Sequence, residues 1–111
     1  HSFTPVMKGF ERPWHIGILW DKDPRLAVPL LQIFAEEAGI VVGDNQPYSG
    51  RSHVGYTMMQ HGASAGLPHV LLEIRQDLID THQGAEAWAA RVGHALRRVL
   101  ATAGSFQVEH Y

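Results

Sequence analysis

The apolar positions along this chain follow two rhythms. Residues 14–20 (WHIGILW) form a short continuous apolar run with β-branched and aromatic residues, which predicts a buried strand. Asp21-Lys22-Asp23-Pro24 then predicts a turn and a helix start, with Asp23 as N-cap and Pro24 in the first helical position. Leu26, Leu30, Ile33 and Phe34 recur at helical spacing, Glu36 and Glu37 face outward, and Gly39 closes the helix. Ile40-Val41-Val42 predicts a second strand, residues 56–65 a short helix, and residues 68–74 (PHVLLEI) a third strand that is apolar until Glu73. Residues 77–83 are a loop with Asp80 and Thr81 as candidate caps. A last helix over about 84–102 presents Trp88, Val92, Leu96, Val99 and Leu100 on one face.

Apolar strands alternating with amphipathic helices predict an α/β fold with a mainly parallel sheet and helices on both faces. In a parallel sheet the C-terminal strand ends share one edge, where ligands bind in open α/β sheets. Three strands make a small sheet, so residues 1–111 read as a single domain that is half of a larger one.

That edge directs attention to three groups. Glu73 ends an apolar strand, where a carboxylate is costly unless paired, metal-bound or raised in pKa. It reads either as the partner of an arginine such as Arg75 or as a base that takes a proton from water. The polar loop 43–51 offers Asn45, the hydroxyls of Tyr48 and Ser49, and Arg51, which can grip a carboxylate in two places. It reads equally as ordinary turn chemistry. His1 is a candidate metal ligand, yet no H-x-x-x-H pair accompanies it, so further ligands would come from elsewhere. Among the other histidines, His15 and His69 read as packed and hydrogen-bonded, His82 and His94 as helix surface, and His53 or His61 as a pocket liner.

Composition narrows the classes. With Lys+Arg 9 against Asp+Glu 11 there is no basic stripe, so nucleic acid and anionic membrane are not expected partners. No cysteine is present, which excludes disulfides and thiolate metal sites and fits a cytoplasmic location. No apolar run approaches the ~20 residues a membrane span needs. No phosphate loop or nucleophile elbow occurs.

Three stretches together resemble the C-terminal half of the N-formylglutamate amidohydrolase family: His1-Ser2-Phe3-Thr4-Pro5, Gly43-Asp44-Asn45-Gln46-Pro47-Tyr48-Ser49-Gly50, and Leu72-Glu73-Ile74-Arg75-Gln76-Asp77. The resemblance implies a zinc exopeptidase-like fold. It also implies zinc-dependent hydrolysis of N-formyl-L-glutamate to formate and L-glutamate, a step of histidine degradation. By the same likeness His1 is the last zinc ligand and Glu73 activates the attacking water. Arg51 or Arg75 holds the substrate carboxylates, while Asn45 and Tyr48 orient the amide. A missing N-terminal half would supply the remaining ligands. Two alternatives stand beside this reading. One is a zinc deacylase or exopeptidase for another N-acyl amino acid or small peptide. The other is a binding module or fragment without a complete site.

Overall fold

The computed structural model describes residues 1–52, 55–104 and 106–111. Its strands are β1 (Ser2–Phe3), β2 (Val6–Met7), β3 (Phe10–Glu11), β4 (Ile16–Leu19), β5 (Val42–Asp44) and β6 (Leu71–Arg75). Its long helices are α1 (Pro24–Ala35) and α2 (His82–Ala103). The main sheet has the order β1-β6-β4-β5, and β2 and β3 form a separate antiparallel hairpin. The mixed α/β character expected from the sequence is therefore present.

The main sheet is mostly parallel, as expected, but two further expectations need correction. The pairings β1·β6 and β4·β5 are parallel, but the central pairing β4·β6 is antiparallel, with Gly17 opposite Glu73 and Ile16 opposite Ile74. The strand ends thus do not share one edge, and Glu73 lies mid-strand. Nothing in the local pattern of residues 68–74 encodes direction, because an all-apolar strand reads the same both ways. The helices also do not cover both faces. Both α1 and α2 close one core with Ile16 and Ile18, built on Ala27, Leu30, Phe34, Trp88, Ala95 and Val99. Ion pairs Arg91–Glu37 and Arg98–Glu36 join the two helices along their outer side. Leu72 and Ile74 pack against the same core. Side chains alternate along a strand, so Glu73 and Gly17 face away from the helices.

Helix boundaries follow the sequence more closely. Asp23 caps α1 through a bond from the Arg25 amide and Pro24 opens it, but the helix ends at Ala35 with Glu36 as C-cap, so Gly39, at a φ of +81°, turns the chain farther on and does not close the helix. Thr81 caps α2 by accepting from the Gly84 amide. Leu100, assigned to the core stripe, is 56% exposed, whereas the buried stripe of α2 runs through Trp88, Ala95 and Val99. The second strand is displaced to Val42–Asp44, and the helical segment after it contains a π-helical turn at Met58–Gly62 followed by a 3₁₀ turn at Ala63–Ala65.

Asp23 does more than cap. It is buried and receives Arg25 through Nε at 2.9 Å and Nη2 at 2.7 Å. Arg25 in turn donates to the carbonyls of Gly66 and Gln107, pinning the C-terminal tail to the start of α1. Burial alone would raise the Asp23 pKa, but the bonds from Arg25 hold it below the usual carboxylate value. A depressed native pKa adds stability that is fully present above the unfolded value of 3.8 and is lost as pH falls through the lower native one. Replacing Asp23 with Ala removes a cap and leaves Arg25 without its carboxylate. Denaturant unfolding at pH 7 is expected to show a loss of about 3 kcal/mol. The gap between variant and parent narrows on acidification below the unfolded value.

Candidate active site

On the face opposite the helices, β6 presents Glu73 and the start of the chain runs beside it. His1 precedes the Ser2–Ile74 pair by one residue, which sets it alongside Glu73. The Ile74 amide donates to the His1 carbonyl, and the amino terminus donates to the Leu72 carbonyl. The His1 imidazole Nδ1 lies 3.9 Å from Glu73 Oε1. The imidazole is largely exposed while the carboxylate is only 5% exposed, so the pair joins a wet group to a dry one.

Glu73 Oε2 is buried and has no hydrogen-bond partner among the described residues. Burial raises the pKa of this carboxyl above its ordinary value, and the positive charge of Arg12 opposes that rise without cancelling it. A buried acid with one unsatisfied oxygen and a raised pKa is a strong base when ionised and a ready acceptor for a water proton.

The loop that follows β5 closes the other side. Its path needs two glycines. A Cβ on Gly17 would strike the carbonyl oxygen of Gln46, and one on Gly43 would lie 2.8 Å from the Gln46 Cβ and 2.9 Å from the Trp14 ring. With bare backbone at both positions the loop lies directly on the sheet. Asn45 has a left-handed φ of +52°, and its Oδ1 accepts from the amides of Trp20 and Gly50, at 3.0 and 2.8 Å. Asp44 accepts from the Trp20 indole. This side-chain bonding to nearby backbone holds the loop shape.

The result is a cleft of about 580 Å³ lined by His1, Leu19, Asn45, Gln46, Pro47, Tyr48, Ser49, Ser52, Gly55, Leu71 and Glu73. Five of the candidate residues, His1, Glu73, Asn45, Tyr48 and Ser49, thus meet at one depression. Arg51 and Arg75 do not line it. Arg51 stacks over Trp20 at 5.5 Å, and Arg75 binds Asp77 and donates to the carbonyls of Arg12, Pro13 and Trp14. A second groove of about 520 Å³ lies between α1 and α2 and is lined by the helix-bridging ion pairs.

One residue near the cleft escaped the sequence reading. Arg12 is 7% exposed, lies over the rings of Phe3 and Tyr48 at 5.8 and 5.1 Å, and donates to the Tyr48 hydroxyl at 3.3 Å. Its position between Glu11 and Pro13 reads as surface loop, and only the fold brings it behind Tyr48. Among the described residues, the remaining histidines do not line the cleft. His15 Nδ1 accepts from the Val41 amide, and its pKa is lowered first by burial and then by Arg75. His69 lies against Gly62 and the Leu67 carbonyl, His82 pairs with Glu86, and His61 meets the edge of Tyr56. His53 lies outside the described residues.

The model of the N-formylglutamate amidohydrolase family matches residues 1–80. The chain belongs to that family. A solved structure agrees in shape: gene product Atu2144 from Agrobacterium tumefaciens superposes with a TM-score of 0.87 at 38% identity, over 95% of this chain. This N-formylglutamate amidohydrolase family chain spans 41% of the length of that protein. No curated protein matches it in sequence. The matched span contains every lining residue of the cleft, from His1 to Glu73, and stops short of α2, which serves the core.

The orphaned Glu73 oxygen carries a consequence for stability. An acid raised in pKa by burial opposes folding once ionised, so the penalty is absent below the ordinary value of 4.5 and complete above the raised native one. In metal-free protein, Glu73→Met is expected to raise stability by about 1 kcal/mol at neutral pH. Thermal unfolding followed across pH should show that gain shrinking as the pH falls through the raised native value and gone below 4.5.

Proposed function

We propose that this chain contributes the base and one metal ligand to a zinc-dependent amidohydrolase that cleaves the formamide of N-formyl-L-glutamate, giving formate and L-glutamate. Membership of the family supports the hydrolase class. The single observation that carries the chemistry is the His1–Glu73 pair at the floor of the cleft, with Glu73 Oε2 buried and unbonded.

The donor set fits zinc in part. Zinc sites use three or more protein ligands. His1 offers one exposed imidazole, and no group of three metal-ligating side chains occurs among the described residues. His1 would therefore hold the ion together with a His and a carboxylate from the longer family chain. An apolar hollow of about 340 Å³ lies next to His1, lined by Leu72, Ile74, Trp88 and Val92. Zinc, when bound, supplies Lewis acidity to a carbonyl and acidifies water toward a pKa of about 7.

The residues of this chain perform the rest. Glu73 takes a proton from the attacking water as its oxygen adds to the formyl carbon. It then passes that proton to the departing nitrogen as the C–N bond breaks. The low exposure of Glu73 keeps bulk water from competing for the proton. Loop 45–49 forms the opposite wall, where the Asn45 amide and the Tyr48 and Ser49 hydroxyls orient the substrate by hydrogen bonds. Arg51 and Arg75, which lie beyond the wall, shape that loop and the β6 end.

Formate release from N-formyl-L-glutamate by the intact protein is expected, with little release of acetate from N-acetyl-L-glutamate and no cleavage of dipeptides. Chelation abolishes it, and Glu73→Gln lowers kcat by about 10²–10⁴-fold with folding retained. Activity that survives both treatments contradicts the scheme, and acetate or dipeptide turnover moves it to a general deacylase or exopeptidase. The 111-residue chain alone should bind less than one equivalent of zinc in metal analysis, since a single imidazole cannot match a three-ligand site.

A further inference from the structure

Resting on the amidohydrolase reading, we infer that Tyr48 donates its hydroxyl proton to a carboxylate of the substrate, and that Arg12 is the positioning residue that makes it do so. Three observations combine. First, Arg25, Arg75, Arg91 and Arg98 all sit on carboxylates, whereas no acidic side chain pairs with Arg12 among the described residues. Arg12 is nevertheless deeply buried. The Glu73 carboxyl feels the charge of Arg12 but forms no ion pair with it; a buried guanidinium without a close counter-anion is costly, and a bound anion nearby relieves the cost.

Second, the hydrogen bonds of Arg12 set the polarity of Tyr48. The guanidinium Nη1 donates to the Thr4 carbonyl and to the Tyr48 Oη. Tyr48 Oη thus acts as acceptor on its inner side, and no protein acceptor takes its own proton among the described residues. That proton is left for something in the cleft. A hydroxyl polarised by a cation donates most strongly to a charged oxygen.

Third, the placement suits the substrate. Tyr48 is 41% exposed and lines the same cleft as His1 and Glu73, so a carboxylate at Tyr48 and an amide at Glu73 can belong to one small molecule. The Arg12 ring contacts with Phe3 and Tyr48 tie the loop to β1, the strand that continues from His1. The specificity so produced is for N-acyl amino acids with a free carboxylate over their amides.

The test separates charge from scaffolding. Glutarate and its uncharged counterpart glutaramide are titrated calorimetrically into the intact protein. The parent is expected to bind glutarate at least about tenfold more tightly. Arg12→Gln and Tyr48→Phe should bind both ligands alike, and Arg12→Lys should recover most of the preference. A merely structural loss would weaken both ligands together and leave their ratio intact. Should Arg12→Gln fail to fold, Arg12→Lys and Tyr48→Phe still decide the matter. A parent without preference, or a folded Arg12→Gln or Tyr48→Phe variant that keeps it, overturns the inference. Formate release is measured in parallel. An Arg12-dependent preference without turnover removes the amidase reading alone, and turnover with an Arg12-independent preference removes this inference alone.

Discussion

Backbone laid directly on backbone is the constraint from which the site follows. Gly17 faces Glu73 across the β4·β6 pairing and Gly43 across the β4·β5 pairing. This row has one acid and two residues without side chains. The loop after β5 uses that space, with Gln46 resting where two Cβ atoms would otherwise stand. A loop held at that distance leaves Glu73 covered yet reachable from one side. Larger residues in the row would lift the loop, open the cleft and wet the carboxylate, and the raised pKa of Glu73 would go with the burial that causes it.

The sheet divides its labour by face. One face is apolar throughout and closes on α1 and α2, with Ile16, Ile18, Leu30 and Phe34 almost fully buried. The other carries the titratable groups. The stability drawn from the first face offsets the strain of the second, where a carboxylate lacks a partner on one oxygen and a guanidinium lacks an anion. Local unsatisfied polarity on a well-packed scaffold is how sites that bind polar ligands are generally held ready.

Elements with a strong local cause were legible before the fold was known. The α1 start follows from Asp23-Pro24, the α2 cap from Thr81, and the core stripe from Trp88 to Val99, all of them short-range effects. The G-D-N-x-P-Y-S-G stretch pointed to a shaped loop, and Asn45 proves to hold it. The direction of β6 was not legible, because pairing sense is decided by connections rather than by composition. The two-residue strand β1 is too short to show any period. Arg12 was not legible either, since its surroundings come from residues 3, 4, 7 and 48, which only the folded chain assembles.

The arginines show why such a residue matters more than its neighbours in the chemistry. Arg75 and Arg51 looked suited to grip an anion because they follow the candidate motifs in sequence, yet each is engaged, one by Asp77 and three carbonyls, the other by the Trp20 ring. A guanidinium already matched to a carboxylate gains little from a second, because its donors are committed and its charge is compensated. Capacity to recognise an anion therefore tracks the uncompensated charge rather than nearness in sequence. Arg51 faces the Trp20 ring off the cleft, so among the described residues the cleft has an acid without a donor on one oxygen at one end and a buried cation without an ion-pair partner behind the other. A substrate carrying both a hydrolysable amide and a carboxylate would complete each of them.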